Sequence, residues 1–298
     1  MNYSESQCAY SHIPVMVKEV LDYLNLSKNM NVLDATIGEG GHSEEIIKVI
    51  EPNGKLIGTD RDREILEVAK KRLSSYSKVS LFNANFADIS EVIQAAGIEN
   101  VDAALFDLGA STYHFYAPDR GFSFDSEGPL DMRFNREEGE TASELLYSLS
   151  EKEIEKILRE YGEEVKSRSI ARSIYRNRKN IKTTSDLKKI ALSATGYRKS
   201  RIHAATKTFQ AFRIAVNNEL ENIHNALSTI WRYVKKGGRI VVISFHSLED
   251  RVVKNTFKEL KAEEKLKILT PKPLKPCESE IKVNRNSRSA MLRAAEVL

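Results

Sequence analysis

Cysteine is nearly absent from this chain. Cys8 and Cys277 are the only two, too few for a disulfide framework and without the spacing of metal ligands. Neither lies in a motif that would make it a nucleophile, and no metal site is expected. Long apolar runs are missing as well: nothing approaches the roughly eighteen residues of a membrane-spanning helix. Met1-Asn-Tyr-Ser-Glu-Ser6 lacks the basic-then-apolar order of a secretory signal, so a cytoplasmic protein without a membrane partner is the expectation. Glycine and proline are sparse, 14 and 7 in 298 residues. The places where they cluster therefore carry information.

One such place is Asn31-Val-Leu-Asp-Ala-Thr-Ile-Gly-Glu-Gly-Gly-His42. Val32 and Leu33 read as the end of a buried strand, and Ile46, Ile47 and Ile50 give the following stretch a helical face. Between them Gly38, Gly40 and Gly41 allow positive φ and let a ligand approach helix-start N–H groups that have no intrahelical partner. The third glycine of the dinucleotide pattern G-x-G-x-x-G is missing. Lys55-Leu-Ile-Gly-Thr-Asp60 then reads as a second strand ending in an acid, placed to accept hydrogen bonds from ribose hydroxyls. A nucleoside cofactor without a phosphate cradle, such as S-adenosylmethionine, suits this pairing. An ordinary strand-to-helix turn is the alternative.

Strand and helix continue to alternate: Leu56–Thr59, Arg63–Leu73, Val79–Asn83, Ile89–Ala96 and Ala103–Asp107. This implies a parallel sheet covered on both faces, with Asp60, Phe86 and Asp107 converging at the carboxyl ends of the strands. Phe86 suits packing on an adenine ring and equally suits a plain core position. Residues 108–134 lose all periodicity and concentrate Gly, Pro and aromatics, as an active-site wall would. Here Phe122 and Phe124 are candidates to flank a nucleobase, with Arg120, Asp131 and Arg133 holding base edges or phosphates. The competing reading makes these aromatics anchors of the loop.

From Thr141 to about Ala211 the pattern is helical, with capping-box spacings at Thr141–Glu144 and Ser150–Glu153. Lys166, Arg168, Arg172, Arg176, Arg178, Lys179 and Lys182 follow in a stretch free of acids. Contact with a nucleic-acid backbone accounts for such a run better than a solvated face does. The net charge of +4 is modest, and its distribution is the signal. Residues 208–231 read as one long helix on which Gln210, Arg213 and Asn217 share a face. Gly237-Gly238 turns into a buried strand, Arg239–Phe245, whose end carries Ser244, His246 and Ser247. No G-x-S-x-G elbow accompanies them, which counts against a hydrolase. The arginines of the closing segment 284–293 are candidates for phosphate binding or for the surface.

Taken in order, these motifs resemble one family: the bacterial methyltransferases that modify the exocyclic amine of a cytidine in 16S ribosomal RNA. The resemblance runs through His12-Ile-Pro-Val-Met16, Gly38-Glu-Gly-Gly-His42, Asp60-Arg-Asp62, Asp107-Leu-Gly109, Arg120-Gly-Phe-Ser-Phe124, Gly128-Pro-Leu-Asp-Met-Arg133, Phe209-Gln-Ala-Phe-Arg-Ile214, Ile243-Ser-Phe-His-Ser-Leu-Glu-Asp-Arg251 and Ser287-Arg-Ser-Ala290. It implies a Rossmann-like class I S-adenosylmethionine-dependent fold with a helical domain inserted after the fourth strand. The expected division is a core of 1–124 with 208–298, and a substrate-recognition insert of 125–207. It implies cofactor contacts at Gly40, Gly41, His42, Asp60, Phe86, Asp107 and His114, and the segments read above add candidate substrate contacts at Arg120, Phe122, Phe124, Asp131, Arg133, Gln210, Arg213, Asn217 and His246. The small ribosomal subunit, not DNA, is the implied partner; the oligomeric state stays open, a homodimer being one option. The chain departs from the family at Ala110-Ser-Thr-Tyr-His114, where His114 stands at a position that is usually glutamine.

The chemistry expected is direct transfer of a methyl group to cytosine N4, with Asp107 accepting the amine proton. Methylation at ring carbon C5 would need a cysteine nucleophile, which this sequence does not offer. An RNA-binding assembly factor without catalysis and a small-molecule methyltransferase are the rival classes.

Overall fold

The computed structural model describes residues 13–195 and 204–298, so the family-like His12 and Cys8 lie outside the described residues. The chain divides into two compact units, Met1–Leu108 with Ile223–Leu298, and Gly109–Asn222. The second unit is larger than the 125–207 segment expected from sequence. It also takes in the aperiodic stretch after Asp107 and the helix that carries Gln210.

The first unit opens with α1 (Val17–Leu24), which buries Val20 and Leu24, and with β1 (Val32–Asp34), buried throughout. α2 (Gly41–Ile50) follows, then β2 (Leu56–Asp60), α3 (Arg63–Arg72), β3 (Val79–Asn83), α4 (Ile89–Ala95) and β4 (Val101–Asp107). α3 starts where Asp62 caps it, its carboxylate accepting the N–H groups of Glu64 at 2.8 Å and Ile65 at 3.4 Å. That satisfies two of the donors a helix start leaves open.

The second unit holds α5 (Thr112–Tyr116), α6 (Ala142–Ser148), α7 (Glu151–Glu160), α8 (Ser167–Asn177), α9 (Thr184–Thr195) and α10 (Ala204–Asn217). Both expected capping boxes close: Thr141 with Glu144 before α6, and Ser150 with Glu153 before α7. Leu146, Ile154, Leu158, Ile170, Ile174, Leu187 and Phe212 form its own apolar core, each fully buried. At about 1.5–3 kcal/mol per such side chain, that core is the main support of this unit.

The single helix expected over 208–231 is two helices. Asn218 adopts φ 51°, a left-handed conformation that asparagine tolerates better than most residues, and the chain turns there into α11 (Glu219–Ile230). Back in the first unit, β5 (Val234–Ser244) is longer than expected. Gly237 sits inside it at φ 80°, opposite a register shift between Val101 and Ala103 of β4, so the expected turn is an irregularity in the strand. α12 (Ser247–Ala262), β6 (Leu266–Ile268), α13 (Glu278–Val283) and β7 (Met291–Val297) complete the chain.

The sheet order is β3-β2-β1-β4-β5-β7-β6. β1 to β5 pair in parallel, whereas β7 runs antiparallel to both β5 and β6. The fully parallel sheet expected from sequence is therefore a mixed one. β7 inserts beside β5 because Leu292, Ala294 and Ala295 are apolar enough to be buried completely. Arg293, read from sequence as a phosphate or surface residue, is 6 % exposed and held by Asp250 through bonds of 2.6 and 3.0 Å.

Candidate active site

The order of the strands reverses between β1 and β4, and in open α/β sheets ligands gather at the carboxyl ends on either side of such a point. Three acids stand there. Asp34 ends β1 and is 1 % exposed. It accepts the Ser43 hydroxyl at 2.7 Å and the Thr36 N–H at 3.3 Å, and burial still raises its pKa. Asp60 ends β2, where Oδ2 accepts the Gly38 N–H at 3.0 Å and Oδ1 the Asp62 N–H at 2.8 Å. Burial pushes its pKa up to about 7 against those two bonds. Asp107 ends β4, its own N–H donating to the Thr36 hydroxyl at 2.6 Å.

Between these strand ends runs the glycine turn. Gly38 at φ 52° and Gly40 at φ 81° hold left-handed conformations, the second as the residue before the first turn of α2. The N–H groups of that first turn have no intrahelical acceptor and carry the positive end of the helix dipole. His42 lies one residue inside the helix and is 6 % exposed. Its Nε2 is 2.8 Å from the Val15 carbonyl and its Nδ1 is 3.4 Å from Asp107 Oδ2. Burial lowers the imidazole pKa.

Asp107 Oδ1 is buried without a hydrogen-bond partner. With Glu249 as a second negative charge nearby, burial raises the Asp107 pKa to about 7. An orphaned acceptor of this kind, beside open helix N–H groups and an acid at the end of β2, fits a ligand that brings its own donors. A nucleoside with an amino-acid tail has donors of that kind in its ribose hydroxyls and its amine. Phe86, after β3, packs edge-on against Phe106 of β4 with ring centroids 6.2 Å apart.

His246, expected as a substrate contact, is the N-cap of α12. Its Nδ1 accepts the Glu249 N–H at 3.3 Å, while Glu249 Oε2 accepts the backbone N–H groups of Phe245 and His246. A fully buried Glu249 thus organises the end of β5. Reading the sequence did not assign roles to Asp34, Thr36, Ser43 or Glu249. The available signal was an acid or hydroxyl at the end of a buried strand, and the neighbouring glycines outweighed it.

The remaining candidates lie in the second unit. His114 is 3 % exposed and packs on Phe122 at 4.6 Å and on Phe134 at 5.1 Å between ring centroids. Phe122 also stacks on Phe134, 5.4 Å apart at 24°. Phe124 meets Phe209 edge-on at 5.4 Å. Arg120 is 1 % exposed and donates to the carbonyls of Arg133 and Phe134. Arg133 grips Asp131 with bonds of 2.8 and 3.0 Å. Gln210 donates to the Tyr161 carbonyl, Arg213 forms a two-bond pair with Glu219, and Asn217 joins Met132 and Phe134. Each of these polar groups thus has an intramolecular partner that fixes the loop 120–134 or α10.

The sheet order, the glycine turn before α2 and the acids ending β1, β2 and β4 define a class I S-adenosylmethionine-dependent methyltransferase. A crystal structure from Streptococcus mutans, described as a methyltransferase in complex with SAH, shares this fold at a TM-score of 0.50 and 15 % identity, covering 96 % of this chain and 100 % of its own. The chain belongs to the MraW methylase family, whose model matches residues 9–298. Among its relatives, ribosomal RNA small subunit methyltransferase H of Thermotoga neapolitana is 48 % identical over 96 % of both chains. The protein of the same name from Halothermothrix orenii is 45 % identical, over 96 % of this chain and 98 % of its own.

Proposed function

We propose that this protein transfers a methyl group from S-adenosylmethionine to the exocyclic N4 amine of a cytidine in the 16S RNA of the small ribosomal subunit. The observation that carries the reading is Asp107 at the end of β4, with a buried and unpartnered Oδ1. When bound, the cofactor supplies an electrophilic methyl on a sulfonium. The N–H groups at the start of α2, with Gly40, Gly41 and His42, would hold its amino-acid end, Asp60 would accept its ribose hydroxyls, and Phe86 would pack on its base.

Cytosine N4 is a weak nucleophile because its lone pair is delocalised into the ring. A carboxylate that accepts the N4–H localises that pair and receives the proton as the new bond forms. Raised to about 7, the Asp107 pKa lies near neutrality, where an acceptor is most effective. Aligning amine and methyl supplies much of the remaining barrier reduction, of order 7–11 kcal/mol in favourable systems. Cys277 is exposed and offers no nucleophile for attack at C5.

The second unit is the substrate-recognition part in this reading. Its exposed Arg168, Arg172 and Arg176 lie four residues apart along α8, as a backbone-tracking surface requires. A small-molecule substrate would leave that row without a task. Among the described residues no helix is long and apolar enough to cross a membrane.

The test is transfer of labelled methyl from S-adenosylmethionine to small subunits from cells lacking this protein, followed by nucleoside analysis. Label in N4-methylated cytidine is the expected result. Label in C5-methylcytidine would keep the enzyme and remove the amine mechanism. No label on a competent subunit, with cofactor binding intact, would favour an RNA-binding protein.

A further inference from the structure

We infer that Glu280 and Asn284 are positioning residues of the cofactor site: from late in the chain they fasten residues 13–16 as a strap across the start of α2, and the strap fixes His42 and Gly41. The inference rests on the reading that the start of α2 holds the amino-acid end of S-adenosylmethionine. All of its parts lie in the first unit. The strap is held at both ends. Glu280 Oε1 of α13 accepts the Met16 N–H at 2.7 Å, and the Asn284 side-chain amide donates to the Ile13 carbonyl at 2.9 Å. Between these ends the strap meets α2 twice. The Val15 carbonyl lies 2.8 Å from His42 Nε2; a carbonyl only accepts, so Nε2 carries the hydrogen and the bond orients the ring. The Pro14 ring lies over Gly41 so closely that a Cβ there would stand 3.2 Å from two of its carbons.

The shape of the strap depends on these distant partners. Met16 precedes α1 at φ 54° and is 1 % exposed, and a left-handed residue of this type persists only where its surroundings hold it. In a capping box the N–H at this position is accepted by a glutamate three residues further on. Glu19 stands there, yet the bond goes to Glu280, 264 residues away in sequence. The far anchor is itself tied down ahead of β7. The Asn284 carbonyl accepts the hydroxyl of the fully buried Ser287 at 2.7 Å, and the Ser287 carbonyl accepts the Ala290 N–H at 2.8 Å. Two of the family-like motifs, at 12–16 and 287–290, thereby meet over the glycine turn.

The test uses the full-length protein. Glu280→Ala removes the acceptor of the Met16 N–H, and SAH should then bind about 10- to 100-fold more weakly by titration calorimetry. In methyl transfer to small subunits, KM for S-adenosylmethionine should rise by a similar factor with kcat within about threefold of the parent, the mark of lost cofactor binding. A merely structural role would lower the folded fraction, and with it kcat, at unchanged KM. Glu280→Gln is the rescue. Its amide oxygen still accepts the N–H although the charge that reaches the His42 ring is gone, so affinity should return to within about threefold of the parent. Parent-like affinity in Glu280→Ala, or a glutamine variant as weak as the alanine one, overturns the inference. Coupling between strap and cofactor is reciprocal, so the parent protein decides if the variants do not fold. SAH should slow hydrogen exchange at the Met16 amide by about tenfold beyond the general slowing in the sheet, and the absence of that extra slowing overturns the inference. The His42 ring signals keep the two readings apart. If SAH binds the parent without moving them, the seating of the cofactor on α2 fails; if they move while Glu280→Ala binds SAH as the parent does, only the strap fails.

Discussion

Gly38 donates its backbone N–H to the Asp60 carboxylate at 3.0 Å, so the glycine turn after β1 and the acid that ends β2 form one rigid piece. The bond uses one carboxylate oxygen and the Asp62 N–H uses the other at 2.8 Å. Each oxygen keeps lone-pair capacity for a ribose hydroxyl.

That arrangement makes cofactor affinity pH-dependent. Burial raises the Asp60 pKa to about 7, whereas hydroxyl donors favour its charged form. Below pH 7 binding must first release a proton. SAH affinity should therefore drop about tenfold for each pH unit below 7 and level off above it. In Asp60→Asn, affinity should be about 10- to 100-fold weaker at pH 8 and nearly flat with pH, as titration calorimetry would show.

The same carboxyls leave a mark on stability. Asp60 and Asp107 both have native pKa values near 7 against an ordinary 3.8. Between those values the native state keeps protons that the unfolded chain has lost, so stability falls as pH rises. The ligand-free protein should melt several degrees lower at pH 7.5 than at pH 5. SAH should shrink that difference, and the double variant Asp60→Asn, Asp107→Asn should lose most of it. A melting temperature that climbs over this interval would contradict the burial of both acids.

Much of this was legible in the residues, and the exceptions share a cause. β3 and both capping boxes fall where local pattern puts them, because strand alternation and S/T-x-x-E signals act over a few neighbours. Asp60 and Asp107 were readable as acids ending apolar runs. β7 was not, since its antiparallel place beside β5 depends on pairing Leu292 with Ile243, partners far apart in sequence. Arg120 reads as a substrate contact from its place in the irregular segment after Asp107, and Asn217 from the helical face it shares with Gln210 and Arg213; that both are buried was not readable. What recruits them inward is a set of backbone groups in the loop 120–134, visible only once the chain is folded.

Asn217 illustrates the cost of such recruitment. It is 3 % exposed, donates to the Met132 carbonyl at 2.8 Å and accepts the Phe134 N–H at 2.8 Å. Met132 is held there at φ 65°, a strained conformation for its residue type. Asn217→Leu would strand two backbone groups and should destabilise the protein by about 2–4 kcal/mol. Denaturant unfolding measures that loss. SAH affinity at low denaturant should stay within a few-fold, because the residues proposed to hold the cofactor's amino-acid end, ribose and base lie in the other unit.

The row of cations on α8 sets a prediction of a different kind. Arg168, Arg172 and Arg176 are exposed at intervals of four residues, roughly 6 Å each along the helix, and exposed Lys179 follows in the next turn. Arg172 has an acidic neighbour, Glu151 at 3.5 Å, but both side chains are solvent-accessible and such a pair is weak. The row is thus free to exchange its counter-ions for phosphates. If it tracks an RNA backbone, each contact contributes about 0.7–0.9 to the slope of log affinity against log salt. Replacing all four cations with glutamine should lower that slope by about three for small-subunit RNA and weaken binding by 100-fold or more at 100 mM salt. Affinity for SAH should not move. Loss of RNA affinity with an unchanged salt slope would mean that the substitutions damaged the second unit, and an unchanged affinity would place the RNA on another face.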